Sequence, residues 1–285
     1  MNRNTFAAGF IGACAVIVAL AVGLHRPSQT ELPQGPNSPP TTWPDYSLGG
    51  PGFVAPDGAD GDLIAYGYKL VTETFSLIGP EASAATRRFA GNNLSCQNCH
   101  LDGGTLRAGV PLVGVFRTYP KFSARSGRVI SLTERIDECM TRSMNGQKLP
   151  DNSREMAAYL AYLGFIGEPQ AATIDPAPAA ALPGDATRGA EVFGRVCATC
   201  HQQDGLGTRW GGPADARGYR FPPLWGPDSF NSGAGMDSFE RAVGFIQRNM
   251  PRGTDPAHPQ LSLQEAWDAA AYLQSRPRPH YEPAR

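Results

Sequence analysis

The sequence has few lysines and no excess of charge of either sign. Only Lys69, Lys121 and Lys148 are lysines among 25 basic residues, and the remainder are arginines. With 26 acidic residues, the formal net charge is −1. A chain balanced in this way has no global positive field to collect phosphates, which argues against a nucleic-acid-binding protein. Hydrophobic residues make up 41% and charged residues 18% of the 285 residues, which is the composition of a globular chain.

Long uninterrupted elements and disulfide pairs are also scarce. The 33 glycines and 26 prolines are about a fifth of the chain, and they predict short helices, long connections and no continuous sheet. The six cysteines do not suggest a disulfide framework. Cys14 lies in an N-terminal apolar run, four others fall into two short motifs, and Cys139 has no evident partner.

The N-terminus has the pattern of an export signal. Arg3 precedes the uncharged run 6–24, and Ala19-Leu20-Ala21 offers a small-residue cleavage site. Residues 5–24 are also close to the ~20 apolar residues that span a bilayer, so an uncleaved anchor competes with cleavage. We expect residues 1–26 to be a signal peptide or N-terminal anchor that delivers the folded part to the periplasm.

The rest of the chain is organised as a duplication. Residues 27–60 are rich in proline and glycine and predict a linker or wrapping arm. Helical spacing and capping residues predict helices over 61–77, from 131 to a stop at 145–146, from 151 or 153 to 165, over 185–193, from 237 or 238 to 248, and over 262–274. The segments 157–160 and 270–273 both read Ala-Ala-Tyr-Leu and lie 113 residues apart. We predict an all-α protein with one domain over 61–167, an Ala/Pro-rich linker over 168–184, and a second domain over 185–276.

Four cysteines form two copies of C-x-x-C-H, 101 residues apart: Cys96-Gln97-Asn98-Cys99-His100 and Cys197-Ala198-Thr199-Cys200-His201. In this motif two thiols can form thioethers with the vinyl groups of haem, and the adjacent histidine can bind its iron. Paired zinc-binding motifs would lie within ~20 residues of each other, and a redox dithiol would sit in a βαβ pattern. The motifs therefore predict two covalently bound haem c groups, and both halves resemble class I cytochromes c.

Each haem iron needs a second axial ligand. The histidines outside the motifs do not lie at a promising helix-to-loop junction; they are His25, His258 and His280. In the C-terminal unit, Met250 ends a predicted helix, precedes a proline and lies 49 residues after His201. We expect Met250 to bind the second iron, with Met236 as the alternative. A methionine that only fills the core is the competing interpretation.

The N-terminal unit has no Met-Pro pair but carries Cys139 within a helix, 39 residues after His100. A single cysteine is usually a small buried thiol. Here, however, Arg135, Arg142 and Ser143 share its helical face at i−4, i+3 and i+4, and residues 101–150 hold eight basic against four acidic residues. Positive surroundings lower the pKa of a thiol and favour the thiolate that binds iron or attacks sulfur. Some of these arginines would pair with haem propionates, and the cluster can also receive an anionic substrate.

These residues carry a closer resemblance. The segment Cys139-x-x-Arg-Ser-Met-Asn-Gly, preceded by Ser-Ala-Arg-Ser-Gly-Arg at 123–128 and Glu-Arg-Ile at 134–136, resembles the dihaem thiosulfate dehydrogenases. Those proteins are periplasmic cytochromes c that couple two thiosulfates into tetrathionate. The resemblance covers 61–274 and is most specific over 117–148. It implies that His100 and Cys139 are the axial ligands of the active-site haem, and that the substrate anion is contacted by Arg125, Arg128, Ser143, Gln147 and Lys148.

The resemblance also bears on the second haem. Some relatives use a lysine beside the methionine as an alternative ligand, but this chain has no lysine after Lys148. We therefore expect the iron beside His201 to keep its methionine.

Charge and electron count indicate a mechanism. Arginines would offset the repulsion between two thiosulfate dianions, and two one-electron haems would accept the two electrons released. The electrons would pass from the haem of His100 to that of His201, and then to a small periplasmic acceptor such as a cytochrome c or a high-potential iron–sulfur protein. The same site could run in reverse as a tetrathionate reductase.

Two other functions compete with this one. One is a dihaem electron-transfer subunit without its own substrate chemistry, which leaves Cys139 unexplained. The other is a sulfur-oxidation cytochrome that conjugates thiosulfate to a carrier protein.

Overall fold

The computed structural model describes residues 53–167, 180–212, 215 and 218–282. The predicted signal or anchor, most of the arm over 27–60 and most of the linker over 168–184 lie outside the described residues. The described residues belong to one compact unit. Within these ranges, no helix is both long and apolar enough to cross a membrane.

The described chain is helical, with two short antiparallel hairpins. The helices of the first half are α1 (Ala59–Thr72), α2 (Thr74–Ile78), α3 (Leu101–Gly104), α4 (Leu132–Arg142) and α5 (Arg154–Phe165). Those of the second half are α6 (Ala186–Val192), α7 (Ala198–His201), α8 (Phe239–Asn249) and α9 (Leu263–Gln274), and a π-helical turn, Phe193–Cys197, joins α6 to α7. The hairpins pair β1 (Lys121–Ser123) with β2 (Arg128–Ile130), and β3 (Thr208–Arg209) with β4 (Tyr219–Phe221). The all-α fold class expected from the sequence is confirmed.

Capping side chains set several helix starts where the sequence predicted them. The hydroxyl of Ser131 accepts a hydrogen bond from the Glu134 N–H at 3.1 Å, and the Glu134 carboxylate accepts one from the Ser131 N–H at 2.8 Å. Ser262 makes the same reciprocal cap on α9. At α5 the cap is Ser153, not Asp151. The helix predicted over 61–77 is two helices, because Glu73 leaves the helical region with φ −127°.

In both halves a glycine lets the first helix cross the last one closely. A Cβ on Gly67 would lie 2.0 Å from the carbonyl oxygen of Ala158 and 2.6 Å from the Cβ of Tyr162. A Cβ on Gly189 would lie 2.0 Å from the carbonyl oxygen of Asp268 and 2.8 Å from the Cβ of Tyr272. Only glycine permits such contacts, so α1 with α5 and α6 with α9 form equivalent crossings.

These crossings correct one detail of the predicted duplication. Tyr162 is the counterpart of Tyr272 at the crossing, whereas the matching Ala-Ala-Tyr-Leu segments pair Tyr159 with Tyr272. Positions three apart lie on the same helical face, so short similar segments align equally well one turn out of place.

Side chains at the end of α4 and around α8 join the two halves. The Asn145 amide donates to the carbonyl oxygen of Ser229 at 2.7 Å, and the Asn231 amide donates to that of Thr141 at 3.0 Å. At the other end of the contact, the buried Asn249 amide donates to the carbonyl oxygen of Ala108 at 2.9 Å. The helix that carries Cys139 and the helix that ends at Met250 are thereby held in one unit.

Candidate active site

The first C-x-x-C-H motif opens into a cavity of about 420 Å³ in the N-terminal half. Cys96, Cys99 and His100 line the cavity together with apolar side chains that include Val71, Ile130, Ile136, Met140 and Leu163. The Nδ1 of His100 lies 2.6 Å from the carbonyl oxygen of Val110. Because a carbonyl only accepts, Nδ1 carries the proton, and Nε2 keeps its lone pair for a metal.

Helix α4 brings Cys139 to the same cavity. Its capping box fixes the start of the helix, and Ile136 and Met140 pack into the core of the first half, so the position between them is directed at the cavity. His100 lines the same cavity and is among the groups that act electrostatically on the Cys139 thiol. The structure thus brings together the two side chains expected to be the axial ligands of one iron.

The Cys139 thiol differs electrostatically from the motif cysteines. Burial raises its pKa, but the charge of Arg135, the interaction with His100 and the charge of Arg125 together outweigh burial and lower the pKa to about 7. Burial instead raises the pKa of Cys99 to about 12. Cys139 therefore has substantial thiolate character near neutral pH, and thiolate is the form that binds iron.

Arginines and one acid surround this thiol. Arg125 and Arg135 line the cavity, as does Glu138. Glu138 accepts a hydrogen bond from Arg135 Nη1 at 3.3 Å, accepts another from Ser126 Oγ, and lies 3.7 Å from Arg142 Nη2. The acid holds Arg135 in place, and the net charge beside Cys139 remains positive.

The structure brings only some of the sequence-predicted substrate contacts to the cavity. Arg125 and Ser143 line it. Arg128 does not; its exposed guanidinium pairs with Glu134 at 2.7 Å. Gln147 and Lys148 are exposed and lie outside the cavity lining, and the Gln147 amide donates to the carbonyl oxygen of Arg88 at 3.3 Å.

Arg142 also departs from the expected arrangement. It shares the helical face of Cys139, yet its guanidinium lies over the Tyr281 ring, 4.7 Å from the centroid. The C-terminal segment covers it, so Arg142 is a packing residue at the edge of the site.

A second cavity of about 180 Å³ surrounds the second C-x-x-C-H motif. Cys197, Cys200 and His201 line it, and so does Met250, the residue that caps the end of α8. The Nδ1 of His201 lies 2.8 Å from the carbonyl oxygen of Pro222, so the proton is again on Nδ1. Burial lowers the pKa of His201 and favours the neutral ring that a metal requires.

The two cavities adjoin each other. Four residues line both of them: Leu94, Cys99, Phe230 and Met236. Met236, the alternative iron ligand predicted from the sequence, therefore lies in the wall shared by the two cavities. Met250 lines only the second cavity.

Several contributing residues were missed by sequence reasoning. The carbonyl groups of Val110 and Pro222 orient the two histidines, but carbonyl groups have no sequence signature. Spacing from Cys139 did place Arg135 on the same helical face, but Arg135 was not among the predicted substrate contacts. Arg241, on α8 of the second half, lines the first cavity, and no local pattern connects it to a site 102 residues earlier in the chain.

Comparisons with known proteins separate the two halves. Residues 85–168 match the SoxA/TsdA cytochrome c domain family, and residues 186–277 match the cytochrome c family. One match therefore lies in each half of the structure.

Comparisons with whole proteins extend over most of the chain. The thiosulfate dehydrogenase of Allochromatium vinosum is 39% identical over 239 residues, covering 80% of this chain and 83% of that protein. The thiosulfate dehydrogenase of Stutzerimonas stutzeri is 33% identical over 270 residues, covering 92% of this chain and 82% of that protein. Among solved structures, the as-isolated thiosulfate dehydrogenase TsdBA from Marichromatium purpuratum is similar, with a TM-score of 0.68 and 32% identity. That match covers 80% of this chain and 48% of the solved chain, so this chain spans about half its length.

Proposed function

The chain belongs to the thiosulfate dehydrogenase family of enzymes, and from that premise we propose that it is a periplasmic dihaem cytochrome c that oxidises thiosulfate to tetrathionate. Two thiosulfate dianions each lose one electron, and a bond forms between their outer sulfur atoms. The product is one tetrathionate dianion, and no proton is exchanged. The two electrons leave to an external acceptor, for which a small periplasmic cytochrome c or a high-potential iron–sulfur protein is suitable.

The residues of both cavities fit a covalently bound haem c. Each cavity combines two cysteine thiols, largely apolar walls and a histidine whose Nδ1 donates a hydrogen bond to a backbone carbonyl oxygen. We assign Cys96 and Cys99 to one thioether pair and Cys197 and Cys200 to the other, with iron bound by the Nε2 of the adjacent histidine. When bound, each haem supplies a one-electron acceptor at its iron.

Cys139 is assigned as the second ligand in the first cavity. It lines the same cavity as His100, and the neighbouring arginines favour its thiolate form. Arg125 and Arg135 hold a thiosulfate dianion beside this sulfur, since guanidinium groups bind oxyanions through paired N–H donors. Ser143 adds a neutral hydroxyl to the same cavity.

Met250 is assigned as the second ligand in the other cavity. Its neutral thioether raises haem potential relative to an anionic ligand, which favours electron flow from the first cavity to the second. The shared wall of the two cavities keeps their contents adjacent. Residues 1–26 are proposed to export the protein, so that this chemistry takes place in the periplasm.

The observation that carries this proposal is the presence of His100 and Cys139 in the lining of one cavity, together with two arginines whose charges act on the thiol. Purified protein should convert thiosulfate to tetrathionate with ferricyanide as the acceptor. We expect one tetrathionate and two ferrocyanides for each two thiosulfates consumed. Reduction of the protein without release of tetrathionate would instead identify an electron carrier. A requirement for a carrier protein would identify a thiosulfate-conjugating cytochrome.

A further inference from the structure

Arg241 lies in the second half of the chain but faces the cavity of the first. It belongs to the first turn of α8, within the region that matches the cytochrome c family. Its side chain nevertheless lines the cavity that holds Cys96, Cys99 and Cys139. The cavity is therefore incomplete without the second half.

Arg241 and Arg125 approach each other across this cavity. A Cβ built on Gly235 would lie 3.7 Å from Nη2 of Arg125 and 3.9 Å from Nη1 of Arg241. Two guanidinium groups from different halves thus lie within 4 Å of the same point. They also interact electrostatically, because the charge of Arg241 is one of the causes that lower the pKa of Arg125, after burial and the charges of Arg135 and Arg142.

Neither guanidinium is paired with a carboxylate in the part of the chain that the structure describes, and the charge of Glu138 is the smallest of the causes that act on the pKa of Arg125. Within the described ranges, Arg125 and Arg241 form no hydrogen bond and no ion pair within 4.0 Å. Glu138, the acid that lines the cavity, is engaged by Arg135, Ser126 and Arg142. Two positive charges held close together without a counter-charge favour an external anion between them.

Both residues keep solvent-exposed surface although the Arg125 guanidinium is partly buried, so an anion from solvent can reach them. Cys139 and both arginines line this one cavity, so an anion held by the two guanidinium groups shares the cavity with the thiol.

We propose that Arg241, together with Arg125, binds the outer anionic group of the sulfur oxyanion in this cavity. This group is the second thiosulfate before coupling and the distal sulfonate of tetrathionate afterwards. The inference rests on the proposed function, and it makes Arg241 a substrate-binding residue contributed by the second half. A cavity that must hold two dianions needs a positive charge at each end, because the first dianion would otherwise repel the second.

The first test removes the charge of Arg241 in the haem-loaded protein. Arg241→Gln should weaken binding of tetrathionate to the oxidised protein roughly 10-fold to 100-fold, as expected for loss of a charge-assisted hydrogen bond. Titration calorimetry measures this without turnover. The thiosulfate concentration for half-maximal rate should rise by a similar factor, with the maximal rate changed less. Arg241→Lys should recover part of the affinity.

The control for total charge is Arg154→Gln. Arg154 is exposed, lies over the Tyr66 ring at 4.7 Å and lines neither cavity. This variant should bind tetrathionate as the parent protein does.

The second test places an anion between the two arginines. Gly235→Asp should compete internally with the substrate and weaken tetrathionate binding, whereas the isosteric Gly235→Asn should retain more of it. Space exists for either side chain, because both arginine contacts of the added Cβ are at ordinary van der Waals distance. The comparison within this pair does not depend on the folding of the Arg241 variants.

Unchanged tetrathionate affinity in Arg241→Gln, or equal affinity in Gly235→Asp and Gly235→Asn, would overturn the inference. A shifted haem spectrum and potential with unchanged affinity would also overturn it, since Arg241 would then be a partner of a haem propionate. If the parent protein binds tetrathionate through Arg241 but does not oxidise thiosulfate, the anion site is supported and the proposed function fails.

Discussion

Arg128 and Glu134 form an ion pair, with Nη2 and Oε1 2.7 Å apart. Glu134 also closes the capping box of α4 with Ser131, so the pair ties the β1–β2 hairpin to the start of the helix that carries Cys139. The hydrogen bond from Arg128 and the bond with the Ser131 backbone lower the pKa of Glu134 to about 2. Arg128 is thereby held outside the cavity that Arg125 lines, although the two residues are three apart.

This placement predicts different effects for the two arginines. Arg125→Gln should raise the thiosulfate concentration for half-maximal rate roughly 10-fold to 100-fold and leave the haem spectrum unchanged, because it removes a charged substrate contact and no iron ligand. Arg128→Gln should change that concentration less than about twofold. Steady-state rates with ferricyanide test both. Equal losses in the two variants would support the register expected from the sequence over the one in the structure.

The second axial ligand of the second haem gives another prediction. Met250→Leu should lower the potential of one haem and remove the weak far-red absorption band of a methionine-bound ferric iron, because the thioether that stabilises the ferrous state is lost. Tetrathionate affinity should change little, since Met250 lines only the second cavity. Met236→Leu is the matched variant. Loss of the band in Met236→Leu and its survival in Met250→Leu would reverse the assignment.

Local signals were sufficient where a short segment determines its own geometry. Each C-x-x-C-H motif correctly predicted that its two cysteines and its histidine lie together, and they line one cavity in each half. The Ser131–Glu134 capping box correctly predicted the start of α4. The spacing from Cys139 then placed Arg135 on the same face. Each of these features depends on residues within about one helical turn of each other.

Features that depend on packing between distant segments were not predictable in this way. Arg241 reaches the first cavity because contacts between the halves, such as the hydrogen bond from Asn249 to Ala108, hold α8 against the first half. The turn of the β1–β2 hairpin decides that Arg125 faces the cavity and Arg128 faces Glu134, and a shift of one residue in a strand exchanges such faces. No repeating pattern in the sequence reveals that Arg241 lines the first cavity, or that Arg125 and Arg128 point to different places.

Acid stability provides a further test, in the second half. Asp268 is 3% exposed and accepts hydrogen bonds from Arg188 Nε and Nη2, both at 2.7 Å, and from the Asp185 N–H at 2.8 Å. The bonds from Arg188 lower the pKa of Asp268 below its ordinary value of 3.8. A lowered pKa in the folded state stabilises the fold above pH 3.8, and that stabilisation is lost as the pH falls through the folded-state value.

Asp268→Asn should therefore lower the free energy of unfolding at neutral pH by about 1–3 kcal/mol. The difference from the parent protein should shrink as the pH falls below 3.8. Thermal unfolding of the haem-loaded protein at several pH values measures both effects. Glu191→Gln on α6 is the control, because its carboxylate is exposed. A difference that grows on acidification would contradict the assigned role of Asp268.

Cys139 is the residue on which the proposed chemistry depends. A neutral core thiol replaced by Ala would cost no more than about 2 kcal/mol and leave the redox chemistry intact. A thiolate ligand among arginines behaves differently.

Cys139→Ala should retain both haems, because Cys96 and Cys99 in one motif and Cys197 and Cys200 in the other form the attachments. It should open one coordination position on the His100 haem and raise the potential of that haem, since an anionic ligand stabilises the ferric state. Thiosulfate oxidation should fall to background.

Electron paramagnetic resonance of the parent protein should show the narrow g-anisotropy of a low-spin His/thiolate haem, and this signal should be absent from the variant. If Cys139→Ala keeps the parent spectrum and turns over thiosulfate normally, the cysteine only packs against its neighbours, and the first cavity must bind iron through another residue.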